Sequence, residues 1–524
     1  MAFAAAILGW AALGGVAPVT AQPTEQWVAR EFQSGVNGGD EGVDAVIWRD
    51  EGLDPAKSFV YVAATVAISS SRSVIGVYKY WVDETSNPQT AVASRLYPPV
   101  NTATGVSKPT AITVDPDTGD VYVVGETPVT GNAQDIVVLK LDKDLVHSTT
   151  WGSGGGPATG VRVFNGTGDD NDRATDVMLD GAGMVYVLGT SRGNGTLDDL
   201  VIVKYEEDGD RSSTWDDESD GVGVRRWNNG SEDGHDTACR LTGVEADSIG
   251  ELLDGWHVVA SGTTDNGDFT DFVVVSYDEA GDLDWAPAIY GGADYTNDVA
   301  TCMARNGAED NQAIIFVGGY STLDTQSNAA PDYDYTVVAI NFADGSLYWD
   351  DVGGDAGRHW DGPGTGSQSG DICRSMAWYG GSLPGSGDYT WLWLTGTAHN
   401  GDDTDFGTVV FDAADGSEVW VSLDEMTSGR HDHAMSIYVV GQEAYVTGAA
   451  EDGSGILDYF TIRLDADGDL VWSKSYDGND GTELALCVLV DETSGAELGV
   501  IVTGGSYQTS TTGVDAVTIR YEQP

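Results

Sequence analysis

Histidine and aspartate side chains are concentrated at two places in the second half of the sequence. One is the segment Arg430-His431-Asp432-His433, and the other is His399-Asn400-Gly401-Asp402-Asp403. Imidazole and carboxylate groups can together bind a divalent metal, or exchange protons as an acid/base pair. A further histidine comes from a nearby loop, and the predicted metal ligands are His359, His399, His431, His433 and Asp432.

The same residues also have a purely structural interpretation. Acids recur at the position of Asp432 elsewhere in the chain, as Asp172, Asp236, Asp298 and Asp371. Such a carboxylate can accept backbone N–H groups just before a strand. His431 and His433 are two residues apart, so their side chains share a side only if that segment is extended. Both interpretations stay open at this point.

A second set of acids opens a run of apolar residues in seven places: Asp135, Asp199, Asp271, Asp334, Asp405, Asp458 and Asp515. Their recurrence indicates a role in building a repeated unit, through hydrogen bonds from nearby backbone N–H groups. Acidic loops such as Asp169-Asp170-Asn171-Asp172 nevertheless suit calcium, which prefers hard oxygen ligands. No segment has the twelve-residue EF-hand spacing. The cofactor is therefore open, with calcium as the candidate ion.

All of these residues belong to one unit that recurs about every 60 residues. Each unit contains a second strand such as Val121-Tyr122-Val123-Val124-Gly125, a third strand behind the recurring Asp, and a fourth strand marked by Trp. Four short strands joined by tight turns make one blade of a β-propeller. The units start near residues 43, 109, 173, 237, 299, 371, 433 and 484.

The eighth unit ends after three strands, and its missing strand is found at the other end of the chain. Residues 26–33 resemble the fourth strand around Trp472 and are predicted to complete the last blade. That pairing would close the ring and remove two exposed sheet edges. The sequence therefore predicts an all-β fold, with residues 22–524 as one propeller of eight four-stranded blades. Seven blades is the alternative, because the first unit is degenerate.

Four turns have the pattern Gly-x3-Trp: Gly281 to Trp285, Gly345 to Trp349, Gly416 to Trp420 and Gly468 to Trp472. With Asp412 before Gly416, this pattern resembles the tryptophan-docking repeat of the eight-bladed quinoprotein (PQQ-like) propellers. The Asp-strand-Asp-Gly unit is similar to the SBBP and delta-60 type repeats of exported bacterial propeller proteins. The resemblance covers essentially the whole mature chain. It implies that the Trp side chains pack between blades.

The cysteines do not match the quinoprotein enzymes. Those enzymes bind PQQ with a vicinal disulfide and a calcium ion, whereas this chain has no adjacent cysteines, so PQQ is not expected. Its four cysteines fall in first strands and are expected to be small buried residues: Cys239, Cys302, Cys373 and Cys487. Cys302 and Cys373 come from neighbouring units, where a disulfide requires Cα atoms within about 7 Å.

The charge of the chain limits its partners. It has 84 Asp and Glu against 24 Lys and Arg, a formal net charge of −60, which repels nucleic acids and anionic membranes. Residues 1–21 resemble an export signal, with an apolar stretch before a small-residue cleavage site at Val19-Thr20-Ala21. The usual basic residue is missing, an anomaly that a start further upstream would explain. No later segment is long enough to span a bilayer. A secreted, periplasmic or cell-surface location is expected.

Three functions fit this sequence. The leading hypothesis is an exported, non-catalytic scaffold that binds a protein or a surface glycan through its loop face, since catalytic motifs are missing. The alternative is a metal-dependent hydrolase or lyase, or a degenerate quinoprotein-like enzyme, with its site on the loop face of units six and seven. A structural module of an envelope assembly is the third. Convergence of the four predicted histidines within about 6–8 Å would favour an enzyme.

Overall fold

The computed structural model describes residues 22–523, apart from residues 32–37, 54, 84–88, 99–104, 129–132, 153–159, 169, 194, 218–220, 231–233, 247–254, 292–296, 309–311, 323–332, 350–356, 364–369, 384–386, 479–480, 493–498 and 510–512. The predicted export signal, residues 32–33 of the predicted closing segment, and Asp169 lie outside the described residues. Within them, every regular element is a β-strand. They contain no apolar helix long enough to cross a bilayer.

The strands form eight four-stranded antiparallel blades. The strands of blade 1 are Glu41–Asp50, Lys57–Ser69, Arg72–Trp81 and Ala93–Tyr97, and those of blade 2 are Lys108–Val114, Val121–Pro128, Gln134–Leu141 and Val161–Phe164. The strands of blade 3 are Arg173–Leu179, Val185–Arg192, Asp198–Tyr205 and Val224–Trp227, and those of blade 4 are Thr237–Ala246, Gly255–Asp265, Thr270–Tyr277 and Ala288–Tyr290. The strands of blade 5 are Asp298–Arg305, Ile314–Thr322, Tyr333–Asn341 and Arg358–Trp360, and those of blade 6 are Ile372–Leu383, Gly387–His399, Thr404–Asp412 and Glu418–Asp424. The strands of blade 7 are Asp432–Val440, Glu443–Glu451, Leu457–Leu464 and Leu470–Tyr476, and those of blade 8 are Glu483–Asp491, Gly499–Thr509, Gly513–Glu522 and Thr24–Glu31. Asp216–Asp217 and Gly221–Val222 form a small hairpin inside blade 3, and Gly38–Gly39 pairs in parallel with Gly513–Glu522.

The N-terminal strand closes the ring. Thr24–Glu31 pairs antiparallel with Gly513–Glu522, so the last blade is built from both ends of the chain. The first strands contact one another in sequence around the ring, and that of blade 1 contacts that of blade 8. The prediction of eight blades with an N-terminal closing strand is therefore confirmed, and the alternative of seven blades is wrong.

The third strands explain why the blades stack. In blade 2, the residues Ile136 to Leu139 are all fully buried, because each face of this sheet is covered by a neighbouring blade. Side chains on both faces of such a strand must be apolar, which produces a continuous rather than an alternating pattern. The core is therefore a series of apolar layers between blades rather than one central cluster.

Tryptophan side chains pack between neighbouring blades. Trp349 is buried, and its indole N–H donates to the carbonyl of Ala413 in blade 6 at 3.1 Å. Gly345, which begins the same turn, adopts a φ of 70° and lies beneath Trp285 of blade 4, where a Cβ atom would approach Trp285 Cε3 to 2.5 Å. Gly468 receives Trp420 of the preceding blade in the same way, whereas Gly281 lies against Arg225.

The placement of the tryptophans differs in detail from the prediction. Trp420 and Trp472 lie within fourth strands as expected. In blades 2 to 5 the Trp instead lies in the turn before the fourth strand, and this group is Trp151, Trp215, Trp285 and Trp349. The fourth strands of these blades are only three or four residues long, and each begins after the turn that contains the Trp.

The first strands carry a belt of interblade hydrogen bonds. Each first strand has a register shift near its beginning. The side chain that follows the shift can reach the backbone of the next blade, as where Asp176 Oδ2 accepts the N–H of Leu241 at 2.9 Å. Ser436 Oγ accepts the N–H of Val488 in the same way at 3.3 Å. We call these positions the inner belt: Asp44, Ala111, Asp176, Arg240, Cys302, Ser375, Ser436 and Cys487.

Candidate functional site

One face of the ring, which we call the loop face, collects most of the chemically interesting residues. First strands begin there, second strands end there, third strands begin there and fourth strands end there. At each junction, the residue that precedes or opens a first strand lies beside the start of the preceding blade's third strand. The backbone N–H of Asp371, for example, donates to the carbonyl of Tyr333 at 2.8 Å.

Three positions meet at each junction on this face. They are the acid that opens a third strand, the residue after the fourth strand, and the acid before the next first strand. The junction of blades 2 and 3, written junction 2/3, has Asp135, Asn165 and Asp172; junction 3/4 has Asp199, Asn228 and Asp236; and junction 4/5 has Asp271, Gly291 and Asp298. Junction 5/6 has Asp334, Asp361 and Asp371; junction 6/7 has Asp405, Glu425 and Asp432; and junction 7/8 has Asp458, Asp477 and Glu483.

Asp432 has a structural role at its junction. Its side chain is fully buried, and its two carboxylate oxygens accept the backbone N–H groups of Met426 at 2.8 Å and Glu451 at 2.9 Å. Burial raises the pKa of Asp432 to about 7, although the two N–H groups act in the opposite direction. Asp371 is held in the same manner by the N–H groups of Gly362 and His399. These contacts account for the recurrence of an acid at this position.

Two of the predicted histidine ligands contact neighbouring polar groups. His359 was expected in a loop, but it lies in the fourth strand of blade 5, with Nδ1 2.8 Å from Thr336 Oγ1 and Nε2 3.3 Å from Tyr290 Oη. His399 ends a second strand, and its Nδ1 accepts the N–H of Gly401 at 3.1 Å. The ring of His359 therefore contacts polar groups of blades 4 and 5, and that of His399 contacts its own loop.

The remaining two histidines flank Asp432 at the start of blade 7. Nδ1 of His431 lies 3.3 Å from Thr404 Oγ1, and Nδ1 of His433 lies 3.2 Å from Thr397 Oγ1. Burial lowers the pKa of His433, and the proximity of His431 lowers it further. His431 therefore lies beside the third strand of blade 6, and His433 lies beside its second strand.

The five predicted ligands do not form a compact ligand group in the described part of the chain. There, two groups have three ligand atoms within 4.8 Å of one another, namely Asp334, Asp361 and Asp371, and Asp458, Asp477 and Glu483. Both occupy the equivalent junction positions. The sequence interpretation missed Asp361, Asp477 and Glu483, although an acid that follows an aromatic fourth-strand residue, as in Trp360-Asp361 and Tyr476-Asp477, would have marked two of them. Metal binding by the histidines stays a prediction.

Two acids near junction 6/7, Asp405 and Asp424, have raised pKa values. Burial is the main cause that raises the pKa of Asp405 to about 6, and the nearby Asp403 adds to the effect. The pKa of Asp424 is also raised to about 6 by burial. Asn400 Nδ2 donates to Asp405 Oδ2 at 2.8 Å, but Asp405 Oδ1 has no hydrogen-bond partner among the described residues. Carboxyl groups that titrate near neutral pH are typical of functional sites.

A polar pocket opens on the same face at blades 2 to 4. It has a volume of about 670 Å³ and contains an unusual concentration of cations for so acidic a chain: Lys108, Arg173 and Arg192. Acids and hydroxyls alternate with these cations. Arg192 pairs with Asp170 at 2.6 Å, and Arg173 lies 3.7 Å from Glu126. The pocket therefore offers donors and acceptors of both charges.

The two cysteines of neighbouring blades lie in contact. The sulfur atoms of Cys302 and Cys373 are 3.6 Å apart, and all four cysteines are buried as free thiols. The contact between the thiols lowers the pKa of Cys302, whereas burial raises that of Cys373. A disulfide between them stays a prediction.

No family model matches the sequence, and no curated protein matches it. Solved structures that align with the chain include the Dos1 propeller, at 8% identity and a TM-score of 0.46 over 95% of both chains. A europium-containing methanol dehydrogenase aligns at 11% identity and a TM-score of 0.46, over 96% of this chain and 93% of that one. The GH93 α-L-arabinofuranosidase of Fusarium graminearum aligns at 14% identity and 0.32, over 66% and 91%. Such distant likenesses concern the fold alone. The eight-bladed fold implied by the quinoprotein resemblance rests on the strand pairing itself.

Proposed function

We propose that this protein is an exported, non-catalytic propeller scaffold that binds a protein or a surface glycan through its loop face. The observation that supports the proposal is the open polar pocket at blades 2 to 4. Ligand sites occur preferentially in concave surfaces with a few well-placed polar groups. Here the donors of Lys108, Arg173 and Arg192 point to carboxylate, hydroxyl or carbonyl groups on the partner.

Binding to soluble polysaccharides and to candidate envelope proteins tests this proposal. We would measure binding of the full chain by calorimetry to a panel of neutral and uronic-acid polysaccharides, and then to purified envelope proteins. Arg192→Ala is expected to weaken binding at least 10-fold. Arg49→Ala is the control, because it removes the same charge from the end of a first strand on the opposite face. Equal binding by both variants would contradict the proposal.

The enzyme alternative has its own supporting observation, the carboxyl groups at junction 6/7 whose pKa values lie near 6 and 7. A hydrolase or lyase needs one group that holds a proton and another that accepts one near neutral pH. The same polysaccharides are therefore incubated with the protein, with and without added divalent metal. Release of reducing ends that is lost in Asp405→Asn would replace the scaffold proposal with this one.

Export is a separate part of the proposal. It is supported by the apolar stretch and the small-residue site at Val19-Thr20-Ala21. N-terminal sequencing of protein recovered outside the cytoplasm is expected to begin at Gln22. Protein that retains residues 1–21 and fractionates with the cytoplasm would contradict export without affecting the binding proposal.

A further inference from the structure

We propose that a calcium ion binds at the junction of blades 7 and 8, between Asp458, Asp477 and Glu483. These residues open the third strand of blade 7, follow its fourth strand and open the first strand of blade 8. A ligand atom from each lies within 4.8 Å of the other two. Calcium–oxygen distances are about 2.3–2.6 Å, so two oxygens that share one ion lie no more than about 5 Å apart. The spacing therefore fits one ion among the three.

Glu483 provides an observation independent of the clustering. Its side chain is completely buried, and Oε1 accepts a hydrogen bond from Ser506 Oγ at 3.2 Å. Oε2 is also buried, but it has no hydrogen-bond partner among the described residues. A buried carboxylate oxygen without a donor is costly. A cation at this position would remove that cost.

The length of the Glu483 side chain distinguishes this junction from its neighbours. At junctions 5/6 and 6/7 the equivalent residue is an aspartate, and each of its two oxygens accepts a backbone N–H. Glu483 is one methylene longer, and it reaches the carboxylate of Asp458. Glu483 keeps a backbone hydrogen bond from Gly478, but its longer side chain also brings two carboxylates into contact.

The chemistry of the site favours calcium over transition metals. All three ligands are carboxylates, which are hard donors, and the group contains neither imidazole nor thiolate. Asp458 and Glu483 are buried whereas Asp477 is exposed, so water can complete a coordination shell of six to eight oxygens from the solvent side. The ion would bridge the last two blades next to the point where the ring is closed.

The main competing explanation is a proton shared by Asp458 and Glu483. Calorimetric titration of the full chain with calcium separates the two explanations. The titration is made at about 150 mM salt, because exposed charges more than about 8 Å apart are then largely screened. The wild type is expected to bind calcium, and Asp477→Asn to weaken the tightest site at least 10-fold. Asp477 is exposed, so this variant is expected to fold. Asp467→Asn, the control, removes the same charge from an exposed turn of the same blade and should bind as the wild type does.

A second measurement uses thermal unfolding with and without a calcium chelator. Chelation should lower the Tm of the wild type and of Asp467→Asn by several degrees, because a ligand that binds only the folded state stabilises it. The Tm of Asp477→Asn and of Glu483→Gln should no longer respond. Calcium binding that is equal in the wild type and Asp477→Asn would overturn the assignment. So would a wild type that binds no calcium but becomes more stable as the pH falls from 9 to 7, since that result indicates the shared proton.

Discussion

Asp199 in blade 3 and Asp405 in blade 6 occupy the same position of the repeat but have different surroundings. Asp199 pairs with Arg226 at 3.0 Å and also accepts hydrogen bonds from Thr196 and Asn228. Asp405 receives Asn400 on one oxygen, and its pKa is raised to about 6 because burial is not offset by a cation. The repeat therefore fixes where the acid lies, while residues outside the repeat pattern decide how its charge is compensated.

The same contrast extends to the two halves of the ring. On the loop face of blades 2 to 4, arginine side chains pair with acids and line the polar pocket. At blades 6 to 8, acids are held by backbone and amide donors, and several have raised pKa values. The inner belt follows this division, with Asp44, Asp176 and Arg240 in the first half and serine or cysteine in the second. The two halves therefore differ in how many of their acids are paired with arginine.

Removal of Arg226 should have the largest effect. The side chains of Arg226 and Asp199 are 8% and 1% exposed, so Arg226→Ala leaves a buried carboxylate without its cation. We expect the free energy of unfolding to fall by about 3 kcal/mol, as for other broken buried ion pairs. Urea unfolding measures the change. The double variant that adds Asp199→Asn should recover part of the loss. If Arg226→Ala lowers the free energy of unfolding by less than about 1 kcal/mol, the ion pair does not set the surroundings of Asp199 apart from those of Asp405.

Asparagine at the two equivalent positions should have opposite effects at pH 8. Asp405→Asn removes a buried charge and keeps an acceptor for Asn400, so stability should rise by about 1–3 kcal/mol, given about 1.4 kcal/mol per unit of pKa shift. Asp199→Asn deprives Arg226 of its counter-ion and should lower stability by about 1–2 kcal/mol. Urea unfolding of both variants tests the comparison directly. A change of the same sign in both would refute it.

Acidification should stabilise the folded protein in the presence of a chelator. Burial raises the folded pKa values of Asp432, Asp405 and Asp424 to about 7, 6 and 6 from the ordinary 3.8, so the folded state binds more protons between about pH 4 and 7. Stability is therefore gained as the pH falls from 8 to 5. Between these limits, Asp405→Asn should gain about 1 kcal/mol less than the wild type. Asp467→Asn, which removes one exposed charge, is expected to keep the wild-type profile.

The smallest effect is expected in the inner belt of the second half. Ser436→Ala removes the acceptor of the Val488 N–H, and it should cost about 0.5–1 kcal/mol, the value of one neutral hydrogen bond. Asp176→Ala in the first half should cost more, because Asp176 accepts the N–H groups of both Leu241 and Val177. Thermal unfolding of both variants compares the halves. Equal losses would show that the belt is energetically uniform.

The fold was readable because its signals are local and repeated. Apolar third strands such as Ile136–Leu139, small residues near the start of first strands, and the glycines and tryptophans of the turns each recur once per blade. Thr24–Glu31 could be paired with the last blade because its Trp27 matches that of a fourth strand, and in the structure the Trp27 indole donates to Val82 of blade 1. The shortened fourth strands of blades 2 to 5 were not predicted, since the same Gly-x3-Trp pattern occurs with a short fourth strand in blade 5 and a long one in blade 6.

The candidate sites were predictable only in part. His431, Asp432 and His433 lie at one junction, but the hydrogen bonds that occupy Asp432 come from Met426 and from Glu451 on another strand. The three acids at junction 7/8 are up to 25 residues apart in sequence and carry no recognisable spacing. They meet because Asp477, after the fourth strand of blade 7, and Glu483, at the start of blade 8, both lie near Asp458 at the start of the third strand of blade 7.

The sequence by itself determined the strand pattern, the number of blades and the recurrence of acids on one face, because each depends on residues within one unit of about 60. Only the tertiary structure decided which acids meet cations, which meet backbone donors and which meet each other. Charge compensation acts between blades over a few ångströms, and it depends on the environment of each buried oxygen rather than on residue type. Equivalent carboxylates of one repeat therefore differ in chemistry, which is why the pocket of blades 2 to 4 and the acid junction of blades 7 and 8 emerged only from the structure.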